Sequence, residues 1–258
     1  MDRAALSQRN AFSQRVRCGF DQGAAAYDDH ARLQRAVAWR LAHQVRALAL
    51  PPGPMADLGA GTGLVGRSLA QQGWPQRLRQ VDASAALLAR NPLSESHGSL
   101  LWDLNQGLPD GLAGAALLSS SFALQWLDDP LLQLERWCQG LMVGGWLVLA
   151  VPTARSFPEW RTAASYAGVP CSGLPLPAAR ALESVARRDL RLERCDRLRF
   201  SLPCPDGGTF LGQLKAIGAG TSPTAPLGPM QLRRLLQHWP ATGTVTWEVL
   251  LLSGQRAP

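Results

Sequence analysis

The chain has 258 residues, a formal net charge of +7, 46% hydrophobic residues and 17% charged residues. That apolar share excludes an intrinsically disordered polymer. Five cysteines without a tight ladder exclude a disulfide-stapled miniprotein, and no apolar run is long enough for a transmembrane helix. Lys215 is the one lysine among 26 basic residues. Two explanations of the arginine excess stay open: codon composition, or an anionic partner drawn by a positive field. The arginines cluster only modestly, over 9–17 and 187–199, and no dense basic run carries interleaved aromatics. A nucleic-acid groove is therefore not expected. The segment Met1 to Phe20 is polar and basic and lacks an apolar signal core. A cytoplasmic protein without membrane contact is expected, and a monomer.

Residues 1–24 read as a flexible or partly helical leader. From Tyr27 the spacing turns helical, with Tyr27, Ala31, Gln34, Ala38, Leu41, Val45 and Leu48 on one stripe. Pro51, Pro52 and Gly53 end that helix. A strand over Met55 to Leu58 then meets a glycine turn, and a helix runs from Leu64 to Gln72. Further strands are expected at Leu78 to Val81, Ser99 to Trp102, Ala115 to Ser119 and Trp146 to Val151. Helices at Ser84 to Arg90 and Leu131 to Leu141 separate them. Strands alternating with helices imply a parallel sheet with helical crossovers. After Pro152 prolines interrupt the pattern. Short helices are expected at Ala178 to Arg187, Phe210 to Ile217 and Met230 to Trp239. Alternating strands are expected at Arg194 to Leu202 and from Val245 to Leu251.

The segment Asp57-Leu-Gly-Ala-Gly-Thr-Gly63 carries the chemistry. Glycines between a strand and a helix let the backbone turn tightly and approach a ligand without a Cβ in the way. A dinucleotide site needs Gly-x-Gly-x-x-Gly. Here the third glycine comes one residue early, at Gly63, and Leu64 holds the dinucleotide position; a dehydrogenase is disfavoured. Asp57 would repel a pyrophosphate and would hold an ammonium, directly or through water. The ligand suggested is S-adenosylmethionine, a nucleoside with a cationic amino-acid tail. Asp82 ends the second strand, where a carboxylate accepts both ribose hydroxyls. Asp103 ends the third, where a carboxylate accepts the adenine amino hydrogens. Asp82 also has a plainer explanation, as a cap of the helix near Ser84.

Asp57-Leu-Gly-Ala-Gly-Thr-Gly63, Asp82 and Asp103 resemble the cofactor site of class I S-adenosylmethionine-dependent methyltransferases. The resemblance implies an α/β, Rossmann-like fold. Its seven-stranded, mostly parallel sheet would have helices on both faces, a helical lid insertion, and a last antiparallel strand between its neighbours. Further segments resemble one subfamily, the malonyl-[acyl-carrier protein] O-methyltransferases of biotin synthesis. They are Ala26-Tyr-Asp-Asp-His-Ala-Arg-Leu-Gln34, Phe122-Ala-Leu-Gln-Trp126, Phe157-Pro-Glu-Trp160, Leu214-Lys-Ala-Ile-Gly-Ala219 and Gln231 to Pro240 followed by Val245 to Leu252. This implies methylation of the free carboxylate of malonyl thioester on carrier protein, priming pimelate synthesis. The organisation implied is one domain. Residues 1–50 form lid helices, 51–152 the cofactor-binding core, 153–240 a lid or substrate insertion with the sixth strand, and 241–258 the last antiparallel strand.

The cofactor set comprises Asp57, Gly59, Ala60, Gly61, Gly63, Asp82, Ala83, Asp103, Leu104, Ser120, Tyr27 and Gln34. The acceptor set comprises His30, Gln125, Trp126 and Lys215. Tyr27, His30 and Gln34 lie at i, i+3 and i+7, so a continuous helix puts them on one face. Arg155, Arg161 and Arg180 are alternatives to Lys215 as the cation for the acceptor carboxylate. That acceptor is already ionised at neutral pH, so no general base and no catalytic residue is named. Trp239 is expected against the last strand. The cysteines and histidines show no ligand spacing, and no metal is expected. Two other classes compete: a methyltransferase of another small carboxylic acid or metabolite, and a basic, non-catalytic binding module that keeps the fold.

Overall fold

The short apolar runs that follow Gly- and Pro-containing turns assemble into one sheet. The computed structural model describes residues 3–257, with side-chain surroundings from residue 11. Residues 1 and 2 of the expected lid, the side chain of Arg9 and residue 258 lie outside the described residues.

In chain order, α1 (Arg3–Gly23), α2 (Tyr27–His30) and α3 (Arg32–Arg46) lead into β1 (Met55–Leu58). Then come α4 (Leu64–Gln71), β2 (Arg79–Asp82), α5 (Ala85–Leu88), α6 (Ser94–His97), β3 (Ser99–Leu101) and β4 (Ala115–Ser121). The second half holds α7 (Pro130–Gly140), β5 (Leu141–Pro152), α8 (Pro158–Ala167), α9 (Ala179–Asp189) and β6 (Leu190–Pro203). It ends with α10 (Gly207–Ala216), α11 (Pro229–Gln237) and β7 (Thr244–Arg256). The sheet order is β3-β2-β1-β4-β5-β7-β6. Neighbours among β1 to β5 are parallel, and β7 runs antiparallel to both β5 and β6. The α10–α11 pair is an insertion between the last two strands, where a short hairpin turn would otherwise suffice.

Both faces of the sheet are covered. On one, Val37, Leu41 and Val45 of α3 pack with Leu69 of α4, Trp160 of α8 and Phe210 of α10. On the other, Leu134 and Trp137 of α7 pack with Leu182 and Val185 of α9. Ala115 to Ser120 of β4 and Trp146 to Pro152 of β5 are buried on both sides, so Ala115 to Leu118 and Trp146 to Val151 read as continuous apolar runs rather than alternating ones.

Three expectations change. The leader is one helix, α1, held by Phe12 and Val16 on its buried face. The helix expected from Tyr27 breaks at Ala31, whose φ of −81° and ψ of 45° are not helical. Strand β5 starts at Leu141, five residues before Trp146, and crosses a register irregularity against β4. Trp239 packs on Phe210 of α10, with ring centroids 5.7 Å apart, and against the core cluster that holds Val245, Trp247 and Val249 of the last strand. Among the described residues, no helix is long and apolar enough to cross a membrane.

Gly59, Gly61 and Gly63 all take positive φ, at 71°, 53° and 81°. A Cβ on Gly59 would lie 2.1 Å from the Cβ of Ala123. Gly59→Ala combines left-handed strain with overpacking, and a loss of about 2–4 kcal/mol is expected. Urea unfolding checks this; a wild-type midpoint would contradict it.

Candidate active site

The turn after β1 is fixed by one carboxylate. Asp82, the last residue of β2, accepts the backbone N–H of Gly61 and that of Ser84, each at 2.8 Å. Ser84 is the N-cap of α5, accepting Leu87 N–H at 3.1 Å. Its hydroxyl donates to Asp21 of α1 at 2.6 Å. Glycine loop, β2 end and leader helix thus form one hydrogen-bonded chain. Burial raises the Asp82 pKa, the two N–H donors oppose that, and Asp21 adds to it.

Asp57 lies beneath the loop, 1% exposed, accepting the Ser119 hydroxyl at 2.7 Å. Burial pushes its carboxyl up to about 7, against that hydrogen bond. Asp28 behaves oppositely. Burial would raise it, but bonds from Thr62 and Arg67, both at 2.6 Å, and the charges of Arg67 and Arg35 hold it below the usual carboxylate range. This pins α2 to α4.

Two cavities adjoin. The smaller, of about 270 Å³, is walled by Gly59, Gly61, Asp82, Ala83, Asp103 and Leu104. Helix α1 covers it and is tied down at Ser13, which donates to Asp128 at 2.9 Å and accepts from Asn105 at 3.1 Å. The larger, of about 840 Å³, is walled by α1, the loop before α9, α10 and the loop after α10. Phe20, Tyr27, Phe122 and Trp126 line both and form the partition between them. Phe20 meets Trp126 edge-on, with centroids 5.4 Å apart. Burial, with Asp82 and Asp28 nearby, keeps the Tyr27 phenol well above its ordinary pKa. Phe122 and Phe157 both adopt left-handed backbone, at φ 56° and 59°, and both meet Trp247 edge-on. Non-glycine strain at two wall residues belongs to a built site.

The expected residues divide accordingly. Gly59, Gly61, Asp82, Ala83, Asp103, Leu104 and Tyr27 line the smaller cavity. Asp57, Ala60 and Gly63 support its wall from behind: Gly59 and Ala60 both donate to Val81 O, and Gly63 caps α4. Asp103 spends one oxygen on Asn105, accepting its N–H at 2.9 Å and its amide at 3.0 Å. Gln125, Trp126 and Lys215 line the larger cavity. Lys215 is the one charged side chain on that wall among the described residues.

Several expectations are corrected. Ser120 points away, donating to Leu58 O at 2.8 Å, and the adjacent Ser121 lines the smaller cavity. Gln34 lines the larger cavity, not the smaller. His30 is exposed and lines neither, because the break at Ala31 turns it off the shared face. Arg155, Arg161 and Arg180 are exposed and outside the larger wall. Residues not anticipated are Ser13, Phe20, Asn105, Ser121, Phe122 and Phe157. The spacing Phe12, Val16, Phe20 at i, i+4 and i+8 was the available signal for α1. No group of three or more His, Cys, Asp or Glu among the described residues is placed to hold a metal ion.

No family model matches the chain. It is 34% identical over 245 residues to the biotin biosynthesis bifunctional protein BioCD of Bordetella avium, covering 89% of this chain and 50% of that one. It is 38% identical over 145 residues to the malonyl-[acyl-carrier protein] O-methyltransferase of Alcanivorax borkumensis, covering 54% of this chain and 48% of that one. The chain spans about half the length of these two relatives. It is 26% identical over 236 residues to the malonyl-[acyl-carrier protein] O-methyltransferase of Neorickettsia risticii, covering 87% of this chain and 89% of that one. Among solved structures, the YcgJ protein of Bacillus subtilis matches at TM-score 0.58 and 11% identity, over 86% of this chain and 99% of that one. The geranyl diphosphate C-methyltransferase of Streptomyces coelicolor, solved with S-adenosyl-L-homocysteine, matches at TM-score 0.52 and 16% identity, over 88% and 80%.

Asp57→Asn removes a carboxyl whose folded pKa, about 7, exceeds its ordinary value of 3.8. The folded state therefore holds the extra proton, and this group's stabilising contribution is lost as pH rises through that window. The variant should melt above wild type at about pH 8 and converge with it near pH 4. A melting difference that is constant with pH would contradict this. The chain has the class I methyltransferase fold and is similar, over most of its length, to malonyl-[acyl-carrier protein] O-methyltransferases.

Proposed function

We propose that this chain is an S-adenosylmethionine-dependent O-methyltransferase that esterifies the free carboxylate of malonyl-[acyl-carrier protein], the step that primes pimelate synthesis for biotin. The observation that carries the reading is the pair of cavities meeting at one aromatic partition. One is walled by a glycine loop and strand-end carboxylates, and the other is larger, with a single cation.

The smaller cavity fits the cofactor chemically. A Cβ on Gly61 would meet only Leu87, at 3.8 Å, so backbone faces open space there. Asp82 and Asp103 present carboxylates to the same space, suited to ribose hydroxyls and an adenine amine. The Ser121 hydroxyl is buried without a partner. When bound, S-adenosylmethionine supplies an electrophilic methyl group on a cationic sulfur.

The protein's part is positioning and exclusion of water. Helix α1, strapped at Ser13 and Asp21, closes the smaller cavity from above. Phe20, Tyr27, Phe122 and Trp126 make the junction apolar, which favours neutralisation of opposite charges. Lys215 is assigned to steer the acceptor carboxylate from the far wall. A carboxylate with a reference pKa of about 4 needs no proton removed, so no residue is assigned as base. The Tyr27 phenol, held protonated, serves as a donor. Residues 1–50 and 153–240 act as the lid in this reading, and carrier protein stays outside in the cytoplasm while its arm enters.

A methyltransferase of a small free acid is the second reading. The cavity volume weighs against it: about 840 Å³ suits a ligand of drug size, and a three-carbon acid fills little of that. Purified protein, labelled cofactor and malonyl-carrier protein are expected to give a labelled methyl ester on the carrier. Labelling of free malonate alone would overturn the proposal. Asp82→Ala should weaken S-adenosylhomocysteine binding by calorimetry about tenfold or more, since it removes both ligand contact and loop brace. Unchanged affinity would refute the assignment. Lys215→Ala should raise KM for the malonyl thioester about tenfold with a smaller change in kcat; a fall confined to kcat would contradict its role.

A further inference from the structure

Helix α1 has two working sides. Ser13, Val16, Arg17 and Phe20 line the smaller cavity. Arg15, Gly19 and Gly23, spaced i, i+4 and i+8, form the adjacent side and meet the end of α10 and the loop after it. The contact there is backbone on backbone. A Cβ on Gly19 would lie 2.8 Å from Gly218 O, and one on Gly23 would lie 2.6 Å from Gly218 N and 2.9 Å from Ala216 O. From the other side, a Cβ on Gly218 would lie 2.5 Å from Gly19 O. Thr221 extends the seam by donating to Arg15 O at 3.5 Å.

Gly218 has a second reason to be glycine. It takes φ 77° and closes α10: its N–H donates to Lys215 O at 3.0 Å, and Ala219 N–H donates to Leu214 O at 2.8 Å. Those two bonds end a helix through a left-handed residue. The turn that ends the helix carrying Lys215 is thus the surface on which α1 rests. Residues 216–222 all line the larger cavity and none lines the smaller. Asp21, between the two α1 glycines, accepts the hydroxyl of Ser84 on the wall of the smaller cavity, and Phe20 lines both cavities. Residues 19–23 therefore touch the wall of one cavity, the partition and the wall of the other.

We infer that Gly19, Gly23 and Gly218 are positioning residues that couple the two cavities: seating α1 over an occupied smaller cavity also sets the wall of the larger one. The inference rests on the proposed function for the identity of the two ligands and adds a dependence of each on the other. With α1 lifted, the Ser13 and Asp21 bonds are lost, Phe20 leaves both cavities and Gly218 loses its backing. With α1 seated, all of these contacts are made together. A ligand that touches Val16 and Phe20 in the smaller cavity favours the seated arrangement. The acceptor, which needs the wall at 216–222, then binds that arrangement better. Side chains at a joint absorb a shift by changing rotamer; a close-packed joint of bare backbone passes it on.

The test is amide hydrogen exchange with S-adenosylhomocysteine as the only ligand. At saturation, exchange over 216–222 should slow about tenfold, although no residue there lines the smaller cavity. Gly19→Leu wedges the joint open and should abolish that protection while protection of the glycine turn at 59–63 stays. Leu182→Ala, which weakens the α7–α9 layer on the opposite face, should keep both. Saturating S-adenosylhomocysteine should also tighten binding of malonyl-carrier protein about tenfold in wild type and by less than about twofold in Gly19→Leu. By reciprocity the carrier tightens S-adenosylhomocysteine by the same factor. Unchanged exchange over 216–222 in wild type would overturn the inference, whether or not the variants fold. So would protection that survives in Gly19→Leu, an equal loss in Leu182→Ala, or a carrier affinity indifferent to S-adenosylhomocysteine. If 216–222 is protected but malonyl-carrier protein does not bind, the proposed substrate fails while the coupling stands.

Discussion

Two hydrogen bonds to one carboxylate set the geometry on which the site depends. Asp82 ties the Gly61 amide to the Ser84 amide, joining the turn after β1 to the turn after β2. In a parallel sheet these turns lie side by side at the carboxyl edge, where ligands of open α/β sheets bind. The three left-handed glycines let the first turn come close enough for that bond. Ser84 then passes the connection to Asp21, so the cover over the cavity is bonded to its floor. A charged group spent on structure in this way still lines the cavity. In the proposed reading its roles as ligand and as brace are therefore coupled, and neither can be changed alone.

The second constraint is the aromatic partition. Phe20 comes from α1, Tyr27 from α2, and Phe122 and Trp126 from the segment after β4. Three separate stretches of chain must be in place before the two cavities are distinct. Phe122 and Phe157, with left-handed backbones, converge on Trp247 of β7. The antiparallel last strand thus does more than finish the sheet: its Trp247 supplies the anvil for the wall of the larger cavity. Helix α10 of the insertion next to it and the loop that follows complete that wall.

Much of this was legible in the sequence. The glycine turn, the strand-end acids and the alternation of strands and helices follow from local spacing, and they fixed the parallel core and β7. What was not legible has specific causes. β4 is buried on both faces, so its sequence carries no alternation, and Ser120 could not be told from Ser121 by pattern. The break at Ala31 has no proline or glycine to announce it. It coincides with the pinning of Asp28 to Thr62 and Arg67, which is tertiary. Once the helix breaks, the i, i+3, i+7 face that joined His30 to Tyr27 and Gln34 no longer exists. α1 gives little signal because, among the residues whose side chains are described, its buried stripe is thin: Phe12 and Val16 are buried and Phe20 joins the partition, on a helix of mostly polar residues.

The central claim is that the adenosyl ligand occupies the smaller cavity with its sulfur end at the partition. A crystal structure with S-adenosylhomocysteine tests it most directly. The account predicts ribose hydroxyls on Asp82, adenine beside Asp103 and Leu104, and sulfur facing Tyr27 and Phe122. Density for the nucleoside in the larger cavity, or with Asp82 uncontacted, would contradict it.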